Sequence, residues 1–148
     1  MLIYIGADHR GFKLKESLKN YLKESGYEVV DVGNADYDQA DDYPDFAALV
    51  GRKISLDPDN SKGILICGSG VGVDIAANKF KNVRSALAIN SDQAMASRND
   101  DNANVLSLGA DYINEESAKK IVSIWLQTSF SGEERHNRRL EKVKKLEG

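Results

Sequence analysis

One stretch restricts this chain more than any other: Gly63-Ile-Leu-Ile-Cys-Gly-Ser-Gly-Val-Gly-Val-Asp-Ile-Ala-Ala-Asn-Lys-Phe80. Ile64, Leu65 and Ile66 form a short apolar run that reads as a buried strand bounded by turn residues. The strand ends on Cys67, the only cysteine in 148 residues. Gly68, Ser69, Gly70 and Gly72 then turn the chain, and Val73 to Phe80 reads as the opening of a helix. A strand, a glycine-rich turn and a helix start together aim several backbone N–H groups at one point, an arrangement that binds an anion. The spacing is G-x-G-x-G with no Gly-Lys-Ser/Thr ending, which argues against both a dinucleotide fingerprint and a P-loop. Close packing of helix on strand would also use such glycines. Cys67 by itself reads as a small buried hydrophobe. Beside oriented N–H groups its thiolate would be stabilised, as a nucleophile or as a general base. A hydrolytic pairing would need one of two histidines, His9 or His136.

The rest of the chain supplies the frame for that stretch. Leu2 to Ala7 is an apolar strand that stops at Asp8-His9-Arg10-Gly11. Leu14, Leu18, Tyr21 and Leu22 then place one apolar stripe on a helix that Gly26 ends. Tyr27 to Gly33 is the second strand. The acidic loop that follows invites a calcium reading. Asp36 and Asp38 fit the first and third ligand positions, but Ala40, Asp41 and Ala47 fail the fifth, the turn glycine and the closing glutamate. No metal is therefore expected there. Pro44 opens a helix buried through Phe46, Val50 and Ile54. Ser85 to Ile89 is a fourth strand, with a helix through about Ser97 and a polar run from Arg98 to Asn104. Val105 to Leu108 is the fifth strand, and Ala118, Ile121, Val122 and Trp125 stripe the next helix. Gly132 to Lys145 reads as a last, basic helix.

Strands that alternate with helices make a parallel sheet covered on both faces, within a single domain over residues 1–148. Ligands of such sheets sit beyond the carboxyl ends of the strands at a topological switch point. That rule selects the loops after Ala7 and Ile66, with the run Arg98 to Asn104 as a neighbouring candidate. His9 after Asp8 reads as a substrate contact or as part of a helix-capping turn. Arg135 and Arg139, at i and i+4, form either a two-guanidinium clamp for phosphate or a solvated basic face. A net charge of −3 gives no ground for nucleic acid or an anionic membrane as partner. The N-terminus enters a strand with no basic region or cleavage site, and one cysteine cannot form an intrachain disulfide. A cytoplasmic protein is the expectation.

Several motifs in consistent order carry a resemblance: Asp8-His-Arg-Gly-Phe-Lys-Leu-Lys15, Asp42-Tyr-Pro44, Ile66-Cys-Gly-Ser-Gly-Val-Gly72, Ile75-Ala-Ala-Asn-Lys79, Ser97-Arg98, Asn104-Val-Leu106 and Arg135-His136. Together they resemble the type B ribose-5-phosphate isomerases, of the group that includes the allose- and galactose-6-phosphate isomerases. The resemblance implies a Rossmann-like α/β/α sandwich, here with five parallel strands and a C-terminal basic helix. It implies an aldose–ketose isomerisation of a sugar phosphate with neither metal nor cofactor. It also implies a homodimer, or a tetramer of two dimers, with each active site completed by the neighbouring subunit. Cys67 would be the base that moves a proton between C2 and C1. Gly68, Ser69, Gly70, Val71 and Gly72 would stabilise the enediolate, with Ser69 assisting at the sugar hydroxyls. Asp8 and His9 would hold the sugar, and Arg135, His136 and Arg139 would contact the substrate, the two arginines at its phosphate. Another branch of the family carries a glutamate base where this chain has Val73.

Two positions depart from the pattern. Asp100 replaces the histidine assigned to opening the furanose ring. A carboxyl group does that work only if burial or a like charge keeps it protonated. Asp101, a further substrate contact by position, stands where an asparagine is expected and would provide the like charge. Asp111 replaces an arginine that helps to hold phosphate, and would oppose phosphate unless it points away. The expectation is ribose 5-phosphate and ribulose 5-phosphate as the substrate pair. The alternatives are a six-carbon sugar phosphate or a non-catalytic sugar-phosphate-binding protein of the same fold.

Overall fold

The computed structural model describes all 148 residues. Five strands pair in parallel: β1 (Leu2–Ala7), β2 (Glu28–Gly33), β3 (Ser61–Cys67), β4 (Ser85–Leu87) and β5 (Val105–Gly109), in the order β2-β1-β3-β5-β4. Helices α1 (Phe12–Glu24), α2 (Tyr43–Leu56), α3 (Val71–Ala77) and α4 (Ser91–Asp101) connect them, and α5 (Glu115–Gln127) and α6 (Glu134–Lys145) follow. One face of the sheet buries Ile3, Ile5, Ile64, Ile66, Leu106 and Leu108 against Leu18, Leu22 and Trp125. The other buries Leu65, Cys67 and Val105 against Val50, Ile54 and Val73. This is the three-layer α/β/α sandwich with a basic final helix. The chain leaves β1 toward β2 and returns to β3 on β1's other side. The switch point therefore lies between the loops after Ala7 and Cys67, as the strand-end rule requires.

β3 is the central strand, and all seven of its residues are buried. It begins at Ser61, earlier than hydropathy indicates, because Ser61 and Lys62 pair with Leu2 and Ile3. Helix α3 begins at Val71 rather than Val73 and ends at Ala77. The largest difference from the sequence reading is the run Arg98 to Asn104, whose first four residues are helical. Helix α4 continues through Asp101, and Arg98 is buried beneath it. Its Nη1 donates to the carbonyl of Ala103 at 2.6 Å and to Asn102 Oδ1 at 2.9 Å, and its Nε donates to the Thr128 carbonyl at 3.2 Å. Its guanidinium also lies 5.9 Å from the centre of the Trp125 ring. Asn102 then ends the helix in the left-handed conformation, φ 48°.

Two contacts fix the loops that matter at the strand ends. The first is a buried ion pair under the β1–α1 connection. Lys15 is fully buried, and its Nζ donates to both oxygens of Asp31 at 2.9 and 2.7 Å and to the Asn34 carbonyl at 2.7 Å. Burial pushes the Asp31 carboxyl upward, but Lys15, Lys19 and the Gly33 amide outweigh it and hold it below its ordinary 3.8. The second contact is backbone on backbone. Cys67 ends β3 opposite Gly109 of β5. The Ala110 amide donates to the Cys67 carbonyl and the Asp111 amide to the Gly68 carbonyl, both at 2.9 Å. A Cβ on Gly109 would lie 2.5 Å from the Ser69 carbonyl oxygen. Gly70 faces the same junction with φ +79°, where a Cβ would lie 2.9 Å from the Gly109 nitrogen.

Lys15→Ala should cost on the order of 2–3 kcal/mol near neutral pH, since it leaves Asp31 with a weakened set of partners. A depressed carboxyl adds stability above its unfolded value and loses it as pH falls through its folded value. The difference in thermal midpoint between wild type and variant should therefore shrink below pH 3.8. Gly109→Ala should destabilise the protein by about 1–3 kcal/mol through overpacking, measured by denaturant unfolding.

Candidate active site

The loops after β1 and β3 meet at the switch point: the Asp8 amide donates to the Ile66 carbonyl at 3.3 Å, one residue before Cys67. The Cys67 side chain is buried, 4% exposed, and its Sγ accepts the Gly70 N–H at 3.1 Å. Ser69 is exposed, and its Oγ accepts the Val71 N–H at 3.2 Å. The N–H groups of Ser69, Gly72 and Val73 have no acceptor in the chain. A thiol beside a set of uncommitted donors suits a proton transfer that passes through an oxyanion.

The β1–α1 loop adds a polar cluster. Asp8 is 7% exposed, and its Oδ1 accepts the N–H groups of Arg10 at 3.0 Å and Gly11 at 3.1 Å, which shapes the turn. The acidic loop before α2 folds back over this turn. Asp41 Oδ1 accepts the His9 backbone N–H at 2.9 Å and lies 2.7 Å from His9 Nδ1. Burial pushes the Asp41 carboxyl upward, but the ring and backbone of His9 and the Asn34 amide outweigh it and hold it below its ordinary range. Ligand-type atoms of Asp8, His9 and Asp41 lie within 4.8 Å of one another. His9 Nδ1 and Asp41 Oδ1 are engaged with each other, and Asp8 Oδ1 with backbone amides, so the trio is a partly hydrogen-bonded cluster. Asp36 and Asp38 take no part in it. Asp111 points at Arg10 and forms an ion pair with it, so its charge is neutralised at the edge of the glycine loop. Sequence reasoning missed Asp41 and Arg10. Their partners lie 32 and 101 residues away, and no local spacing signals either pair.

The other expected site residues lie elsewhere in the same chain. Strands run toward Cys67 and the covering helices run back, so the last turn of α4 lies at the opposite end of the sheet. Asp100 and Asp101 are there, where α6 packs on α4. The neighbouring-candidate status of the polar run thus does not hold within one chain. His136 is buried, with Nδ1 2.5 Å from Ser131 Oγ and Nε2 3.7 Å from Asp100 Oδ1. The Asp100 side chain is 47% exposed. Arg135 and Arg139 are exposed, and Arg135 pairs with Glu133 at 2.8 Å. Asp101 lines a cleft of about 630 Å³ between α6 and the β4 edge. One chain therefore brings Asp8, His9, Cys67 and Gly68 to Gly72 together and carries Asp100, Asp101, Arg135, His136 and Arg139 as a second group.

Comparison with known proteins agrees with this architecture. The Ribose/Galactose Isomerase family model matches residues 3–143. A probable ribose-5-phosphate isomerase B of Mycoplasma genitalium is 44% identical over 98% of this chain and 95% of its own length. The ribose-5-phosphate isomerase B of Mycobacterium tuberculosis is 38% identical over 95% of this chain and 86% of its own. The crystal structure of the M. genitalium enzyme with bound ribulose-5-phosphate superposes with a TM-score of 0.96 over 99% of this chain and 95% of that one. With its five-stranded parallel sheet and glycine loop at the switch point, this chain belongs to the ribose/galactose isomerase family.

Proposed function

We propose that this chain is an isomerase that interconverts ribose 5-phosphate and ribulose 5-phosphate through an enediolate, with Cys67 as the base. The observation that carries the reading is Cys67 Sγ on the Gly70 amide, beside the uncommitted amides of Ser69, Gly72 and Val73. Its relatives named ribose-5-phosphate isomerase B, and the neighbour that holds ribulose-5-phosphate, support the same substrate pair. In the open-chain aldose, the Cys67 thiolate removes the C2 proton. Charge moves to O1, and the loop amides stabilise it as an oxyanion hole does. The thiol then returns the proton to C1, O2 gives up its hydrogen and O1 gains one. Ser69 assists these hydroxyl transfers. Oxidation at C2 and reduction at C1 occur within one substrate molecule, so the reaction calls for no redox cofactor.

Asp8 and His9 hold the sugar. Arg135 and Arg139, one helical turn apart, clamp the phosphate, with His136 behind them. Asp100, in the place of the family's ring-opening histidine, gives a proton to the ring oxygen, and Asp101 contacts the substrate beside it. These groups lie across the sheet from their own Cys67. They therefore serve the site of a second copy, which makes a homodimer the smallest active unit, with a tetramer as a pair of such dimers. No helix is long and apolar enough to cross a membrane, and we assign the protein to the cytoplasm.

Purified wild type should form ribulose 5-phosphate from ribose 5-phosphate, and Cys67→Ala should lower kcat by about a thousandfold or more. Full turnover in the variant would remove Cys67 from the role of base. The shared site has its own test. Cys67→Ala and Arg135→Ala/Arg139→Ala should each be nearly inactive alone. Refolded together in equal amounts, they should recover about a quarter of wild-type activity, since half the dimers are mixed and each mixed dimer has one intact site. No recovery in verified mixed dimers would place both groups in the same subunit's site.

A further inference from the structure

We propose that Asp41 is a positioning residue that turns His9 into the base for opening the furanose ring. The proposal rests on the isomerase reading and adds a proton-transfer role to His9 beyond holding the sugar. Asp41 Oδ1 meets both the backbone N–H and the ring Nδ1 of His9, at 2.9 and 2.7 Å, so main chain and imidazole are fixed by one atom. The Asp41 side chain is only 6% exposed, and the Asn34 amide faces its other oxygen at 3.4 Å. The Tyr37 ring stands edge-on 6.3 Å from the imidazole.

A carboxylate only accepts hydrogen bonds, so Nδ1 carries the proton and the lone pair of the neutral ring is at Nε2. Nε2 has no partner in the chain, and the His9 side chain is 24% exposed. The loop it sits on is joined to the residue before Cys67 through the Asp8 amide. On the same loop, Asp8 Oδ1 is taken by the turn amides of Arg10 and Gly11, and the Arg10 guanidinium pairs with Asp111. His9 Nε2 is thus an unpartnered acceptor on the loop that is joined to β3 at Ile66, one residue before Cys67.

Ring opening needs a base at O1 and an acid at the ring oxygen O4. His9 Nε2 takes the O1 proton, the O1 electron pair becomes the C1=O1 bond, and the C1–O4 bond breaks. O4 takes a proton from the acid assigned above to Asp100. The imidazolium formed faces Asp41 at 2.7 Å, and the carboxylate stabilises it as in a catalytic triad. It returns its proton to water once the aldehyde has moved on to Cys67.

Ribulose 5-phosphate separates this role from the enediolate step. Its C5 oxygen carries the phosphate, so it cannot close a furanose ring and enters the site as an open chain. Exchange of its C1 hydrogen with D₂O needs the Cys67 base but no ring opening. In Asp41→Asn, conversion of saturating ribose 5-phosphate should fall about 100-fold while C1 exchange of saturating ribulose 5-phosphate, followed by NMR, stays within about threefold of wild type. Retained exchange also shows that the variant is folded. Parallel loss of both activities, or unchanged conversion, would overturn the proposal. A wild type that shows neither activity would overturn the isomerase reading itself, a result distinct from either.

Discussion

Where β3 and β5 end, two backbones touch with no room for a side chain between them, and the site's geometry follows from that contact. Gly109 lies against the Ser69 carbonyl, while the Ala110 and Asp111 amides bind the carbonyls of Cys67 and Gly68. In a trans peptide the carbonyl and the following N–H point in opposite directions. Tying the Gly68 carbonyl to the β5 side therefore turns the Ser69 N–H away from the sheet. The Gly70 N–H is brought onto Cys67 Sγ, and helix α3 starts immediately with its first amides free. The donors are thus presented by the way two parallel strands stop side by side. The packing reading of the glycines and the chemical reading are one reading.

The same parallel topology separates what it does not join. Every helix that returns from the strand ends carries its last turn to the far side of the sheet, so residues of α4 and the following α6 cannot reach their own Cys67. Under the proposed function this is a constraint on assembly rather than a defect. A proton-transfer group and a phosphate clamp built at opposite ends of one subunit can meet only across a symmetric contact, where each end faces its counterpart.

How much of this was legible in the sequence depends on how local its cause is. β1 was readable to the residue because a parallel strand buried on both faces shows a continuous apolar run. The first residues of β3 were not, because Ser61 and Lys62 are polar and join the sheet through backbone pairing with β1. Lys62 illustrates the cost: burial, with Arg98 and Arg84 nearby, pushes its amine down to about 8. The last turn of α4 was hidden for a related reason. Arg98-Asn-Asp-Asp is a poor helix sequence by propensity, and what holds it is the tertiary setting of Arg98 between Trp125 and Thr128. The glycine loop and Asp8-His9 were visible as motifs. The Asp41–His9 and Arg10–Asp111 pairs were not, since each joins loops that only the folded sheet brings together.

The Arg10–Asp111 pair changes what the departure at position 111 means. An isolated aspartate where the family holds phosphate with an arginine would lose one attraction and add one repulsion. In the fold, Arg10 reaches Asp111 from the β1–α1 loop, and its guanidinium lies against Gly68. The pair has no net charge, so the repulsion is largely cancelled and only the attraction is missing. Arg10 is also the residue after His9, so this pair tethers the His9 loop to the β5–α5 loop on one side while Asp41 tethers it on the other. Under the proposed function, one phosphate contact has been given up for a second anchor on the loop that handles the sugar ring. The phosphate then depends more heavily on Arg135 and Arg139.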